Sequence, residues 1–133
     1  MTEILVVPDR SHDGSLDPHA AELIGAASEI GTPIVLIDDR THADALSTLG
    51  AATVLVSDAP LVDATTTALT TLNPAAVLFS HTVRGRETAG RVAVRAGKAL
   101  LTDAVAVRRD AEGIVTDHPV SYTHLTLPTT PYV

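Results

Sequence analysis

The segment SHTVRGRETAGR, residues 80–91, places basic side chains around a glycine directly after an apolar run. Arg84 and Arg86 flank Gly85 at the point where a helix is predicted to begin. The N-terminus of a helix offers free backbone N–H groups and the positive end of the helix dipole, and a glycine lets an anion approach the backbone. These three residues are therefore candidates for a phosphate or carboxylate site.

The basic residues of this segment also fit a different interpretation. Four of them share one stripe of the predicted helix, since they are spaced seven, four and three residues apart: Arg84, Arg91, Arg95 and Lys98. The opposite stripe is apolar and consists of Ala89, Val92, Ala93 and Ala96. A solvated or partner-facing stripe explains these charges without a ligand, and we favour it over a small-molecule anion site.

Polar residues also follow two other predicted strands. The polar loop that follows the first strand contains four residues that could form a metal or acid–base site, although such a loop is more often solvated. They are Asp9, Arg10, His12 and Asp13. After the second strand, Asp38 and Asp39 match the ribose-binding acid of dinucleotide folds by position only. The GxGxxG turn that such folds need after the first strand occurs nowhere in the chain, which argues against NAD binding.

Other arrangements that carry chemistry are incomplete in this sequence. The GxxxxGK[ST] phosphate loop and the SGGxDS turn are missing. A phospho-acceptor receiver domain is disfavoured because Arg108 stands where it needs a lysine, although Ser57 and Asp58 fit its third strand. The six histidines include no i, i+4 pair typical of a metal site, and only His81 lies at a predicted strand end. We therefore predict no catalytic residue and no metal site.

Five short apolar runs predict buried strands, because each is too short for a helix and most are rich in β-branched residues. They are ILVV (4–7), IVLI (34–37), VLV (54–56), AVLF (76–79) and AVAV (104–107). Helical patterns separate the runs, so we expect an α/β fold with a Rossmann-like, doubly wound parallel sheet of about five strands. The turn RDAEG, residues 109–113, predicts an antiparallel return of IVTDHPV at one edge.

Four helices are predicted from capping residues and apolar stripes. The first has Asp17 as its N-cap and Pro18 at its first position, and it ends at Gly31. The other three cover about residues 41–49, 61–72 and 84–97.

The composition limits the class of protein. A length of 133 residues fits one domain, and 45% hydrophobic residues with only three aromatics predict a core of Val, Leu, Ile and Ala, as in buried parallel sheets. The absence of cysteine excludes disulfides and thiol chemistry and suits a reducing cytoplasm. No apolar stretch reaches the roughly 18 residues of a membrane span. We expect a cytoplasmic protein without direct membrane insertion.

The net charge of −7 is unevenly distributed along the chain. Residues 1–83 contain two arginines and eleven carboxylates, whereas the remainder contains seven basic and five acidic residues. An acidic chain binds nucleic acid poorly, because such binding depends on many contacts between basic residues and phosphates. We therefore expect no nucleic-acid partner.

The final stretch, VSYTHLTLPTTPYV, differs in composition from the rest. It contains Tyr122 and Tyr132 with two prolines, and no charged residue follows Asp117. It resembles the translated sequencing-adapter tails found at the ends of fragmentary gene models. We expect one domain over residues 1–120 and a tail over 121–133 that lies outside the native fold, the alternative being a natural extended edge strand or tail.

The order of these segments resembles the N-terminal domain of electron transfer flavoprotein alpha subunits, in an actinobacterial style, over about residues 3–120. The specific part is the family pattern G.E.AGR.AAR.G..L.TDV..V. The chain follows this pattern at Gly85, Glu87, Ala89, Gly90, Arg91, Ala93, Arg95, Gly97, Leu101, Thr102 and Asp103. It departs from the family at Pro8 and Arg10 in the first loop and has a compact stretch at 38–45.

The resemblance implies electron carriage rather than catalysis by this chain. Members of this family pair with a beta subunit, hold one FAD, accept electrons from acyl-CoA-type dehydrogenases and deliver them to a membrane quinone oxidoreductase, as in fatty acid beta-oxidation. The FAD is held mainly by the C-terminal domain of the alpha subunit, and many members bind AMP on the beta side. The resemblance therefore implies a scaffold fragment that has no active site and holds no FAD by itself.

In this scaffold interpretation, HTVRGRETAGR orders the helix and faces a partner or the missing domain. The alternative is a stand-alone adenine-nucleotide-binding module with a stress-protein-like fold, which would bind phosphates at the Gly85 turn.

Overall fold

A parallel sheet covered by helices on both faces forms the body of the molecule, as predicted. The computed structural model describes residues 2–10, 14–100, 106–110, 113–117, 125–126 and 131–132. Four consecutive strands pair in parallel in the order β3-β2-β1-β4: β1 (Glu3–Val7), β2 (Thr32–Ile37), β3 (Thr53–Val56) and β4 (Ala76–Phe79). Four α-helices connect or follow them: α1 (Ala20–Ile30), α2 (Ala43–Thr48), α3 (Leu61–Leu72) and α4 (Val83–Ala96). This is the Rossmann-like, doubly wound arrangement.

Strand β1 is buried on both faces, which explains its uninterrupted apolar sequence. Ile4 and Val6 pack in the cluster that contains the buried side chains of α1 and α2. Leu5 and Val7 point the other way, into the cluster formed with α3 and α4. All four side chains are at most 2% exposed, and burial of each stabilises the fold by about 1.5–3 kcal/mol. The strand therefore holds the two helical layers together.

The bounds of α3 and α4 follow the predictions closely, whereas α1 and α2 begin later than predicted. The apolar stripe predicted for α1 consists of Leu23, Ile24, Ala27 and Ile30. The last three are buried, whereas Leu23 is half-buried against the same core. The prediction that Asp17 is the N-cap is wrong, because His19 occupies that position and makes no side-chain cap hydrogen bond. The carboxylate of Asp17 accepts the backbone N–H of His19 with one oxygen and the hydroxyl of Ser80 with the other, as described below.

Helix α2 is shorter than predicted because a 3₁₀ turn, Arg40–His42, precedes it. Asp39 caps that turn by accepting the backbone N–H of Thr41 at 3.0 Å. Helix α3 has the predicted bounds despite its threonines. The hydroxyl of Thr65, which is fully buried, donates to the carbonyl of Leu61 at 2.7 Å and so has a partner inside the helix.

The prediction of a fifth parallel strand at 104–107 is wrong in the part that the structure describes. After β5 (Ala99–Leu100), the chain forms β6 (Ala106–Asp110) and β7 (Gly113–Asp117), which pair antiparallel. Residues 104 and 105 lie outside the described residues. The predicted antiparallel return is confirmed, but it belongs to a second sheet of order β6-β7-β8 rather than to an edge of the parallel sheet. Ile114 of β7 extends the core on the α1 side.

Two short strands come from residues 121–133, the predicted tail. Strand β8 (Leu125–Thr126) pairs antiparallel with β7. Strand β9 (Pro131–Tyr132) pairs in parallel with β4 and with β5, which gives the order β3-β2-β1-β4-β9-β5 among the described residues. The division of the chain at residue 120 stays a prediction.

Helix α4 starts very close to the end of β4. Thr82 is its N-cap, and the Thr82 Oγ1 accepts the backbone N–H of Gly85 at 3.0 Å. A Cβ atom at Gly85 would overlap the carbonyl oxygen of Ser80. Packing of the helix against the strand end therefore requires glycine at position 85.

We expect Gly85→Ala and Gly90→Ala, two identical changes in one helix, to have opposite effects on the free energy of unfolding. A Cβ at Gly90 meets no heavy atom within 4 Å, so the variant gains up to about 1 kcal/mol of helix propensity. Gly85→Ala should lose about 1–3 kcal/mol because the Ser80 carbonyl must move. Urea unfolding of both variants checks this, and equal stabilisation by the two would contradict the close approach.

Candidate functional site

The carboxyl ends of β1 and β4 lie side by side at the point where ligands usually bind in this fold. From β1 the chain continues to β2 on one side, whereas β4 pairs with the other side of β1. The following helices, α1 and α4, pack on opposite faces of the sheet. Such a switch point opens a crevice between the two strand ends. Here the crevice contains side chains from both turns.

The carboxylate of Asp9, two residues after β1, is the centre of these contacts. Its Oδ2 accepts the hydroxyl of Thr82 at 2.7 Å. Its Oδ1 accepts the backbone N–H of Arg10 at 2.8 Å and the guanidinium of Arg84 at 3.1 Å. The Asp9 side chain is only 12% exposed. A carboxylate of the chain itself thus lies at the N-terminus of α4 and meets two of its polar groups.

Ser80, the residue after β4, links the same turn to the start of α1. Its Oγ accepts the backbone N–H of Asp9 at 2.7 Å and donates to Oδ2 of Asp17 at 2.7 Å. The second oxygen of Asp17 accepts the backbone N–H of His19 at 3.0 Å. Ser80 is 2% exposed and Asp17 is 7% exposed. We call the four side chains Asp9, Asp17, Ser80 and Thr82 the crevice network.

The predicted anion-site residues are brought together here, but two of them already have internal partners. The guanidinium of Arg84 pairs with Asp9, and the N–H of Gly85 is capped by Thr82. Arg86 is exposed, and its backbone N–H bonds the carbonyl of Thr82 at 2.9 Å. The anion that this turn binds in the structure is the carboxylate of Asp9, and binding of an external anion by these residues stays a prediction.

The loops after β1 and β2 are joined by a second set of contacts. Arg10 pairs with Asp38 at 3.0 Å. The imidazole of His42 lies 3.2 Å from the carbonyl oxygen of Gly14. A depression at this end of the sheet has a mixed lining. Five of its residues are apolar and five are charged or titratable: Pro8, Leu16, Leu36, Ile37 and Leu61, with Asp9, Arg10, Asp38, His42 and Arg84. Asp38 is therefore paired with an arginine, while Asp39 caps the turn before α2.

The remaining candidates from the sequence do not assemble into a reactive site among the described residues. His12 and Asp13 lie outside those residues. Asp58 follows β3 and is exposed, whereas Arg108 lies in the antiparallel hairpin, so a receiver-type pair is not formed. His81 is exposed at the turn after β4. The part of the chain that the structure describes contains no cluster of His, Cys, Asp or Glu that could hold a metal ion.

The structure divides the predicted arginine stripe into two groups. Arg84 pairs with Asp9, and Arg95 of α4 pairs with Asp63 of α3 at 2.6 Å. These two arginines therefore pair with carboxylates of the chain itself. Arg91 and Lys98 are exposed, and neither makes a salt bridge with another described residue.

Sequence reasoning missed the crevice network, although part of its signal is visible. A threonine three residues before Gly85 at a helix start is a capping signal. No local sequence pattern predicts the hydrogen bond between Ser80 and Asp17, because these residues are 63 positions apart.

The hydrogen bonds to Asp9 lower the pKa of its carboxyl group. Partial burial, the largest single influence, would raise the pKa of Asp9, but hydrogen bonds from the Thr82 hydroxyl, the Arg10 N–H and the Arg84 guanidinium together lower the pKa below its ordinary value. A carboxyl with a lowered pKa in the folded state stabilises the fold above its ordinary pKa. That stabilisation is lost as the pH falls through the folded-state pKa.

We expect Asp9→Asn to lower the free energy of unfolding at neutral pH by about 1–3 kcal/mol, because hydrogen bonds to a charged group are lost. The difference between the two proteins should stay constant above about pH 5 and shrink as the pH falls below about 4. Urea unfolding from pH 7 to pH 3 measures this. Asp58→Asn, at an exposed carboxylate without a partner among the described residues, is the matched control and should change little. A pH-independent difference for Asp9→Asn would contradict the assignment.

None of the helices among the described residues is both long and apolar enough to cross a membrane.

Comparisons with known proteins agree with the resemblance seen in the sequence. A family model described as the electron transfer flavoprotein domain matches residues 4–131.

Two curated relatives are proteins named electron transfer flavoprotein subunit alpha. The chain is 38% identical over 128 residues to that of Mycobacterium leprae (strain TN) and 36% identical over 128 residues to that of Mycobacterium tuberculosis (strain ATCC 25618 / H37Rv). Each comparison covers 86% of this chain and 40% of the relative, so the chain spans about two-fifths of the length of these relatives. The chain therefore belongs to the electron transfer flavoprotein family, within which it is similar to alpha subunits.

Proposed function

We propose that this chain is the scaffold domain of an electron transfer flavoprotein alpha subunit. It holds no flavin and has no active site of its own. It docks to a beta subunit in a cytoplasmic heterodimer whose FAD carries electrons from acyl-CoA-type dehydrogenases to a quinone oxidoreductase. The observation that carries this proposal is that Asp9, a carboxylate of the chain itself, accepts hydrogen bonds from Thr82 and Arg84 at the start of α4.

The crevice network leaves little for a nucleotide phosphate to bind. A phosphate at the start of α4 would need the hydroxyl of Thr82, the guanidinium of Arg84 and the N–H of Gly85, and each of these has an internal partner. Asp9 is ionised at neutral pH, as an aspartate with an ordinary pKa also is, so its charge would repel a phosphate. These contacts weigh against FAD binding and against the adenine-nucleotide module.

The length of the matched region also supports the scaffold proposal, because it covers only 40% of each mycobacterial relative. About three-fifths of the length of the mycobacterial alpha subunits has no counterpart in the comparison. A flavin-binding domain of the family would lie in that remainder. The role left for residues 1–120 is to support that domain and the second subunit.

The first prediction from the proposal concerns flavin retention. After incubation with FAD and desalting, the purified chain should show no flavin absorbance, and titration with AMP should produce no heat of binding. Asp9→Ala is a useful companion variant, because it frees the Thr82 hydroxyl and Arg84 and should bind inorganic phosphate more tightly than the unchanged chain. A stoichiometric yellow complex of the unchanged chain would overturn the scaffold role, and binding of AMP alone would favour the nucleotide module.

The second prediction concerns the partner. A tagged form of the chain, co-expressed with a beta subunit of this family, should capture that subunit in a 1:1 complex on size-exclusion chromatography. An unrelated acidic protein of similar size and the same tag serves as the control for non-specific capture. Recovery of the chain alone, with the beta subunit in a separate peak, would contradict the docking role.

A further inference from the structure

Strands β4 and β5 follow each other along the chain, with α4 between them, yet they are not neighbours in the parallel sheet. The order β3-β2-β1-β4-β9-β5 places β9 between them. Neighbouring strands of a sheet lie about 4.8 Å apart, so β4 and β5 are separated by roughly twice that distance. The crossover from β4 to β5 therefore leaves a gap that is one strand wide.

The strand that fills this gap comes from a distant part of the sequence. Tyr132 is in parallel register with Val77 of β4 on one side and with Leu100 of β5 on the other. Pro131 is in register with Ala99 of β5. Among the described residues, β5 has no strand partner except β9. The attachment of β5 to the parallel sheet thus depends on two residues.

The surroundings of β4 explain why the gap needs a strand. All four residues of β4 are buried, and Leu100 of β5 packs against the apolar cluster that contains Val77 and Phe79. Backbone N–H and C=O groups in such surroundings must be hydrogen-bonded, because water does not reach them. The need is smaller at the opposite edge of the sheet, where Thr53 and Val56 of β3 are exposed.

Strand β8 ties the same part of the chain to the second sheet. It pairs antiparallel with β7, with Leu125 in register with Thr116 and Thr126 in register with Val115. Ile114 of β7 is buried in the core on the α1 side. Strands β8 and β9 therefore connect the antiparallel hairpin to the gap in the parallel sheet.

We propose that β8 and β9 act together as a strap that closes the parallel sheet: β8 anchors the strap to the hairpin, and β9 joins β5 to β4. The proposal does not depend on the scaffold function. It assigns residues 131–132 to the fold, whereas composition predicts a tail outside it.

Release of the strap has a defined structural consequence. Strand β5 loses its strand partner, and β4 becomes an open edge that can pair with an extended segment of another chain. Helix α4 stays in place, because Val92 and Ala93 are buried and Arg95 pairs with Asp63. The strap thus protects one edge of the sheet without holding the helix next to it.

Hydrogen–deuterium exchange of two shortened chains tests the strap. A chain that ends at Thr130 lacks β9 but keeps β8, and its amides in β4 and β5 should exchange at least about tenfold faster than those of the full chain. The amides of β2, which pairs with β1 and β3, should change much less. A chain that ends at Tyr132 keeps β9 and is the matched control, so its exchange should equal that of the full chain.

Two substitutions test the same pairing at full length. Tyr132→Pro removes the backbone N–H of the residue that lies between Val77 and Leu100, so it should also raise the exchange of β4 and β5. Tyr132→Val keeps that N–H and introduces a residue type that favours strands, so it should retain the protection. This pair decides the question if the shortened chain does not fold.

The pattern of exchange separates a strap from a tail. Faster exchange of β4 and β5 in the chain that ends at Thr130 and in Tyr132→Pro, but not in the two controls, supports the strap. If β4 and β5 exchange at the same rate in every variant and in the full chain, residues 131–132 do not close the sheet and the proposal is wrong. Faster exchange of β5 alone, with β4 still protected, would show that another segment covers β4 and would also overturn it.

Discussion

The structure depends on one internal carboxylate, Asp9, which links the turn after β1 to the turn between β4 and α4. In related folds a bound nucleotide contacts these two turns. Asp9 accepts hydrogen bonds from Thr82 and Arg84 at the start of α4, while its own backbone N–H donates to Ser80 at the end of β4. In many folds of this class an external phosphate satisfies the donors at such a helix start. Here the Thr82 hydroxyl, the Arg84 guanidinium and the Gly85 N–H each have an acceptor within the chain, so the turns after β1 and β4 are linked without a ligand.

The geometry around α4 follows from this constraint. The helix begins against the Ser80 carbonyl, which explains why position 85 is glycine, and the salt bridge between Arg95 and Asp63 holds the far end of α4 to α3. One side of the helix is thus fixed to the sheet. The other side presents Val83 and Val94 to the exterior. Glu87 is exposed between these two valines, so the exterior side of α4 is mixed in character.

The sequence predicts those features that depend on local pattern. Helix α3 has the predicted bounds because an apolar stripe begins after Pro60 and because Asn73, in the left-handed conformation, ends it. It does not predict features that depend on distant partners. The bond between Ser80 and Asp17 spans 63 positions. In the predicted run at 104–107, the described residues 106 and 107 pair antiparallel with β7, a partner that the run itself does not reveal. Gly85 was singled out by its neighbours, whereas the carbonyl oxygen against it is visible only in the structure.

The most direct measurement of the central claim is a pH titration of the Asp9 carboxyl carbon by NMR, with and without excess AMP. If the chain's own carboxylate fills the crevice, Asp9 titrates below the ordinary aspartate pKa of about 3.9, and the nucleotide changes neither its chemical shift nor its pKa. A pKa at or above the ordinary value, or a shift of the Asp9 signal when AMP is added, would show that the crevice is open to a ligand and would contradict the scaffold role.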